Sequence, residues 1–168
     1  MEARTSEAAW RTLVQAHAVL LDAIERELER GRGIPLTWHE VLLRLAAAPD
    51  GALRMQELAD RLVLSRSGAT RLVDRLERAG LIERASCPSD RRGTYAVLTA
   101  AGRSALAQVG PLLRSAIAQH FGRHLSEAEA GQLESILGGV LAALGHAEDT
   151  ACAGALDAEA SAAPSCTG

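Results

Sequence analysis

Lysine is missing from this chain of 168 residues, so all 18 basic side chains other than histidine are arginines. A guanidinium offers a fork of donors that matches phosphate and guanine, so this composition suits nucleic acid contacts. Aromatic residues make up only 2% of the chain, so aliphatic side chains have to fill the core. The three cysteines, Cys87, Cys152 and Cys166, do not indicate a disulfide framework.

Long apolar runs are missing as well. No run approaches the roughly 18 residues needed to span a bilayer, and no basic segment followed by an apolar one opens the chain. We therefore expect a cytoplasmic protein without a membrane partner.

The net charge of −3 argues by itself against a nucleic acid binder, but the charge is unevenly distributed. Ten arginines and six acidic residues lie between Arg54 and Arg103, a net charge of +4, which leaves −7 for the rest of the chain. Positive potential is therefore concentrated in one region.

That region has the pattern of a helix-turn-helix. Residues 58–62 predict a short helix, Val63 and Leu64 a break, and residues 65–80 a second helix with Ser65 as N-cap. One face of the second helix is apolar and the opposite face is polar and cationic. The apolar face carries Ala69, Leu72, Val73 and Leu76, and the polar face carries Ser67, Thr70, Arg71 and Asp74. Such a face suits a major groove, although arginines on a helix are also common on ordinary solvated surfaces.

A hairpin follows the second helix. Residues 81–85 and 94–98 predict two strands, and residues 86–93 form a polar loop with Arg91 and Arg92 at its tip. A loop of this kind can insert arginine into a narrow minor groove while the preceding helix occupies the major groove. The alternative is an ordinary surface hairpin, which leaves the charge at the tip unexplained. Together these elements predict a winged helix-turn-helix and DNA binding.

The sequence here resembles the multiple antibiotic resistance regulator (MarR) family of bacterial transcription factors. The resemblance rests on LADRLVLSRSGATRLVDRLERAGLIER followed by PSDRRGTYAVLTAAG. It includes the turn of residues 76–84, the wing sequence of residues 90–92 and the Leu98-Thr99 pair that follows. It implies a mostly α-helical fold, a winged helix-turn-helix with long N- and C-terminal dimerisation helices, and a short strand at residues 52–54.

Each terminal helix is predicted from its apolar period and its caps. A first helix is expected over residues 6–30, a second opened by a capping box of Thr37 and Glu40, and two later helices capped by Thr99 and Ser126. The apolar surface of the terminal helices is larger than one winged helix-turn-helix can cover. This excess predicts a homodimer. The expected divisions are residues 1–35 and 100–146 for dimerisation, 36–99 for DNA binding and 147–168 as a disordered tail.

Position in the motif assigns the DNA contacts. Ser65, Arg66, Ser67, Thr70 and Arg71 are assigned to major-groove bases and nearby phosphates, and Arg75 and Gln56 to the DNA backbone. Asp90 and Arg92 match the family's wing pair, with Arg92 or Arg91 entering the minor groove. Asp74 is expected to pair either with a wing arginine, as in the family, or with Arg78 one turn away. The expected function is a ligand-responsive repressor that binds a palindromic operator as a homodimer.

The controlling signal is less visible in the sequence. The resemblance implies a small aromatic or anionic effector, for which Trp10, His17, Trp38 and His39 are the candidate contacts. A metal sensor would use His120 and His124, spaced four residues apart, with His39 or His146, and a redox sensor would use Cys87. A dimer that binds a ligand or partner without DNA is a further alternative. No catalytic constellation or cofactor motif is present, so we expect neither an enzyme nor a cofactor.

Overall fold

The computed structural model describes residues 2–31, 33–87 and 90–146, and the side chains of residues 2–4 and 87–93 lie outside the description. The elements in chain order are α1 (Glu2–Arg30), α2 (Leu36–Ala47), β1 (Ala52–Arg54), α3 (Met55–Arg61), α4 (Arg66–Arg78), β2 (Ile82–Cys87), β3 (Asp90–Leu98), α5 (Ala100–His120) and α6 (Glu127–Ala143). This order confirms the predicted mostly α-helical winged fold. No helix among the described residues is long and apolar enough to cross a membrane.

Helix α1 begins four residues earlier than predicted and is only partly covered. Its C-terminal half packs Ile24 and Leu28 against Val109 and Leu113 of α5. Its N-terminal half leaves apolar side chains in solvent, and Trp10 is 64% exposed. Part of the apolar stripe of α1 is therefore not covered by the rest of this chain.

The prediction of a capping box at Thr37 is wrong. Helix α2 starts one residue earlier, and Pro35 precedes it without a side-chain cap. The amide of Leu36 instead donates to the carboxylate of Glu25 on α1, at 3.0 Å. Glu40 pairs with Arg44 one turn along α2. A neighbouring helix thus satisfies an amide that the sequence pattern assigned to a local cap.

The main core lies between α2, the helix-turn-helix, the sheet and the start of α5. Its side chains are almost all aliphatic, as the low aromatic content requires. The sheet is antiparallel with strand order β1-β3-β2, which confirms the short strand expected before α3. Leu53 of β1 lies opposite Ala96 of β3, and both side chains are buried.

Two positions determine the geometry around the helix-turn-helix: the turn between α3 and α4, and the start of α5. The break between α3 and α4 places Val63 in the left-handed region at φ 53°, with its side chain 72% exposed. Gly102, in the first turn of α5, leaves no room for a side chain, because a Cβ there would lie 2.1 Å from the carbonyl oxygen of Leu81. Helix α5 therefore packs directly on the backbone at the entrance to the wing.

The predicted caps of the last two helices are confirmed. Thr99 caps α5 by accepting a hydrogen bond from the amide of Gly102. Ser126 and Glu129 form the capping box of α6. Neither cap needs a distant partner, which is why the sequence pattern was enough to locate both.

Candidate nucleic-acid interface

The N-terminus of α4 presents small polar side chains at the surface. The hydroxyl of Ser65 accepts a hydrogen bond from the amide of Gly68 and lies 3.2 Å from the hydroxyl of Ser67. Thr70 donates its hydroxyl proton to the carbonyl of Arg66. Thr70 is exposed, so a donor or a thymine methyl can approach its side chain closely.

The exposed side of α4 is a shallow groove with a cationic lining. Gly68, Arg71, Asp74, Arg75 and Arg78 line it. Within the described residues, no carboxylate lies at ion-pair distance from Arg71, Arg75 or Arg78. Arg78 instead donates to the backbone carbonyl of Asp74. Three guanidinium groups are therefore available to an external polyanion.

Two predicted contact residues from different helices come together. Arg66 at the start of α4 donates to the side-chain oxygen of Gln56 on α3, at 3.0 Å. Both side chains are exposed. The bond holds the Arg66 guanidinium over the start of α3, where a phosphate bridging the two helices could be bound.

The wing is joined to α4 by Arg84 of β2. Its guanidinium bonds to Asp74 and Glu77, each at 2.5 Å, and its side chain is 27% exposed. Burial lowers the pKa of Arg84, but the hydrogen bonds and charges of Asp74 and Glu77 outweigh burial and raise it. The partner of the Asp74 carboxylate is therefore a wing arginine, as the resemblance implied, whereas Arg78 bonds to the backbone carbonyl of Asp74.

Arg54 is a further cation at this surface that the sequence reasoning missed. It lies opposite Tyr95 in the sheet, and its Nε donates to the tyrosine hydroxyl at 2.9 Å. The guanidinium carbon is 5.5 Å from the ring centre. Only the antiparallel pairing of β1 with β3 brings these side chains together, and the sequence carries no local signal for it.

The wing strands extend further than predicted. Strand β2 runs through Cys87 and β3 begins at Asp90, so Asp90, Arg91 and Arg92 belong to a strand rather than to a loop of eight residues. The register shifts between Ser86 and Cys87, next to the tip. The side chains of Cys87, Asp90, Arg91 and Arg92 lie outside the described ones, so their assigned roles stay predictions.

The four candidate effector contacts fall into different environments. Trp10 and His17 are exposed on α1, and Trp38 packs against the main core. His39 is only 1% exposed, and burial lowers its pKa, an effect that neighbouring Glu40 opposes. His39 is therefore packed in the core of the single chain, and its role as an effector contact stays a prediction.

The structure does not support the predicted histidine pair. Helix α5 ends at His120, whereas His124 lies in a separate 3₁₀ turn, so the two residues do not share a helix face. His120 lies 3.6 Å from Glu27 instead. Among the described residues, no group of three or more histidine, cysteine, aspartate or glutamate side chains is arranged to hold a metal ion.

Comparison with known proteins identifies this architecture. A model of the MarR family matches residues 32–93. The transcriptional repressor MprA of Escherichia coli is 34% identical over 119 residues, which cover 71% of this chain and 67% of MprA. These relatives are transcriptional regulators and not enzymes, in agreement with the sequence-based expectation.

Solved structures match over most of the chain. Sco3205, a MarR family transcriptional regulator from Streptomyces coelicolor solved in complex with DNA, is 34% identical with a TM-score of 0.72, over 78% of this chain and 82% of that one. AbsC, a MarR family regulator from the same organism, is 30% identical with a TM-score of 0.76, over 83% and 94%. The chain described here therefore belongs to the MarR family of DNA-binding, winged-helix transcriptional regulators.

Proposed function

We propose that this protein is a homodimeric repressor that binds a palindromic operator and is released by a small ligand. The observation that carries the proposal is the exposed arginine face of α4, which no carboxylate of the described residues neutralises. Two relatives support it, since MprA is a transcriptional repressor and Sco3205 was solved with DNA. Residues 36–99 then form the DNA-binding unit and the terminal helices the dimerisation unit.

The dimer is inferred from apolar surface that the single chain leaves open. Large apolar side chains of α1 and α6 are 37% to 69% exposed, and no residue of α6 is buried. They are Trp10, Leu13, Val14, Val19, Leu21, Ile136, Val140, Leu141 and the C-cap residue Leu144. Packing these faces across a two-fold axis would cover them and place two α4 helices about one DNA turn (~34–36 Å) apart.

Each surface group has a distinct part in the proposed complex. Ser65, Ser67, Thr70 and Arg71 enter the major groove, where Arg71 is long enough to reach base edges. Arg75 and the linked Arg66 and Gln56 contact phosphates. The wing, through Asp90 and Arg91 or Arg92, approaches the adjacent minor groove.

The proposed effector is a small aromatic or anionic molecule. Trp10 and His17 support this part of the proposal, since they offer an exposed stacking surface and a hydrogen-bonding group on one helix. Trp38 is only partly exposed, because it packs against the main core. Release would follow if binding at the junction of dimer helices and DNA-binding unit changed the separation of the two α4 helices.

The experiment is a salt-dependent mobility shift with DNA flanking the protein's own gene, comparing wild type with Arg71→Ala and Arg92→Ala. We expect a steep loss of affinity with salt for wild type. Arg71→Ala should relax discrimination at particular base pairs by ~1–3 kcal/mol, while Arg92→Ala should weaken binding to all sequences.

Arg123→Ala, in the 3₁₀ turn after α5, is the matched control and should bind as wild type. An unchanged site-selection profile for Arg71→Ala would refute the groove assignment. If neither the flanking DNA nor a random-site selection yields binding, the chain is a ligand- or partner-binding dimer instead.

A further inference from the structure

A second groove separates the end of α6 from the helix-turn-helix. It has a volume of about 400 Å³. Six of its lining residues come from the turn between α3 and α4 and from residues 141–146 at the end of α6. They are Arg61, Leu62, Val63, Leu64, Leu141 and His146.

The groove has a largely apolar lining. Val63 is 72% exposed, Leu64 40% and Leu141 39%, and all three line it. Exposed apolar side chains gathered at one place commonly mark a surface that is covered by something else. Val63 and Leu64 lie outside the two helices, α1 and α6, whose apolar faces the proposed dimer covers, whereas Leu141 belongs to α6.

Arg44 and Glu40 also line the groove and pair with each other, so the positive charge that remains beside α4 comes from Arg61. Arg61 is exposed, and no described carboxylate lies at ion-pair distance from it. Leu72, on the buried side of α4, also lines the groove, so the groove adjoins the recognition helix itself. Arg71 and Arg75 lie on the other, exposed side of that helix, and no described carboxylate lies at ion-pair distance from them either.

The chain supplies a matching occupant. Residues 147–168 follow directly on His146, which lines the groove. They contain Glu148, Asp149, Asp157 and Glu159, no basic residue, and many alanines with Leu156 as the one larger aliphatic side chain. A coiled chain of about 22 residues reaches ~25 Å, which exceeds the length of about 20 Å of a 13-residue helix such as α4.

We propose that residues 147–168 bind back into this groove, with small apolar side chains against Val63 and Leu64 and carboxylates against Arg61 and the arginines of α4. The segment then competes with DNA for the same guanidinium groups. This competition rests on the proposed function, whereas the docking itself does not. Because the contacts are charged and exposed, the competition weakens as salt screens them.

Docking is tested without DNA by comparing amide NMR spectra of the full chain and a chain that stops at His146. Removing the segment should shift the amide signals of residues 61–64 and of Arg71 and Arg75. Shifts restricted to the last turn of α6 would overturn the proposal. Arg61→Gln in the full chain should reproduce part of the change, while Arg123→Gln, away from the groove, should not.

Competition is tested by measuring DNA affinity for the full chain, the shortened chain and a full-length variant carrying E148Q, D149N, D157N and E159Q. At low salt both altered proteins should bind about three- to tenfold more tightly, since a few surface ion pairs no longer have to be broken. Their affinity should also fall more steeply with salt, because more counterions are released from DNA.

The outcomes separate the two proposals. Equal affinities and equal salt slopes for the three proteins would refute competition. Absence of DNA binding by all three, together with the expected NMR shifts, would refute the proposed function and leave the docking of residues 147–168 intact.

Discussion

His39 combines complete burial with unmet hydrogen-bonding capacity. It is 1% exposed, and neither ring nitrogen has a hydrogen-bond partner within the described part of the chain. Burial lowers its pKa below the ordinary 6.5, against the smaller opposing effect of Glu40. Below that pH the unfolded chain binds a proton that the folded protein excludes. The contribution of His39 to stability is therefore complete above about pH 6.5 and is lost as the pH falls.

Replacing His39 with leucine should stabilise the protein and flatten this pH dependence. Leucine fills a similar volume without unpaired polar atoms, so the free energy of unfolding at neutral pH should rise by about 1 kcal/mol. Urea denaturation at about pH 5.5 and about pH 7.5, at one protein concentration, measures both effects. Exposed His124→Gln is the control, and a His39→Leu protein as acid-sensitive as wild type would contradict the expectation.

Sequence reasoning at this scale identified which residues are polar and exposed, but it did not identify their partners. The cationic face of α4 followed from helical spacing, because spacing along a helix is local. Arg54 with Tyr95 and Arg66 with Gln56 meet only after strands and helices have packed. The same holds for His39, whose burial depends on what covers α2.

At the scale of elements, one charged side chain links the wing to α4 in addition to the core that both share. Arg84 reaches from β2 to both Asp74 and Glu77, so it couples the orientation of the hairpin to the recognition helix. The three side chains are 27% to 38% exposed, so screening by solvent limits their contribution to stability. Their larger effect is expected on the geometry of the two DNA-binding elements.

Arg84→Gln should therefore lower DNA affinity more than stability. We expect a loss of about 1 kcal/mol in the free energy of unfolding and at least about tenfold in affinity, since the wing no longer has a defined position over the minor groove. Urea denaturation and the mobility shift give the two numbers. Arg11→Gln, which breaks an exposed pair on α1, should change neither. A variant that loses stability with unchanged affinity would exclude coupling through Arg84.

The elements themselves were largely predictable, and the errors have a common cause. The turn at Val63, the Ser65 cap and the caps at Thr99 and Ser126 all depend on neighbours within a few residues. Strand β1 pairs with the distant β3, and it was expected from the family resemblance rather than from a local pattern. The start of α2 depends on Glu25, eleven residues away, so its predicted cap was misplaced. The wing strands exceed their predicted length because pairing with each other extends them through the polar sequence.

At the scale of the whole molecule, the open faces of α1 and α6 predict how the protein assembles. Ile136→Glu introduces a charge at a side chain that is 64% exposed in the single chain and buried in the proposed dimer. Burying an unpaired carboxylate is costly, so the mass measured by light scattering should fall from two chains to one. Affinity for a palindromic DNA should fall with it, since one chain contacts one half-site only.

Ser135→Glu adds the same charge about 100° around α6 from Ile136 and should leave the dimer intact. If Ile136→Glu and Ser135→Glu both remain dimeric, α6 is not at the interface. If both become monomeric, the added charge acts nonspecifically.

The sequence by itself determined the class of this protein. Helical period, turn residues and the concentration of arginine between Arg54 and Arg103 were enough to predict a winged helix-turn-helix that contacts DNA. These signals are patterns over a few residues or sums of charge, so they can be recognised in the sequence without knowing how the chain packs.

Only the tertiary structure decided which side chains act together. It joined Arg84 to Asp74 and Glu77, buried His39 in the core and separated His120 from His124. It also placed the apolar turn at Val63 beside the end of α6. Such relations depend on distances between segments far apart in the chain, and those distances are set by the packing of the whole core rather than by any local pattern.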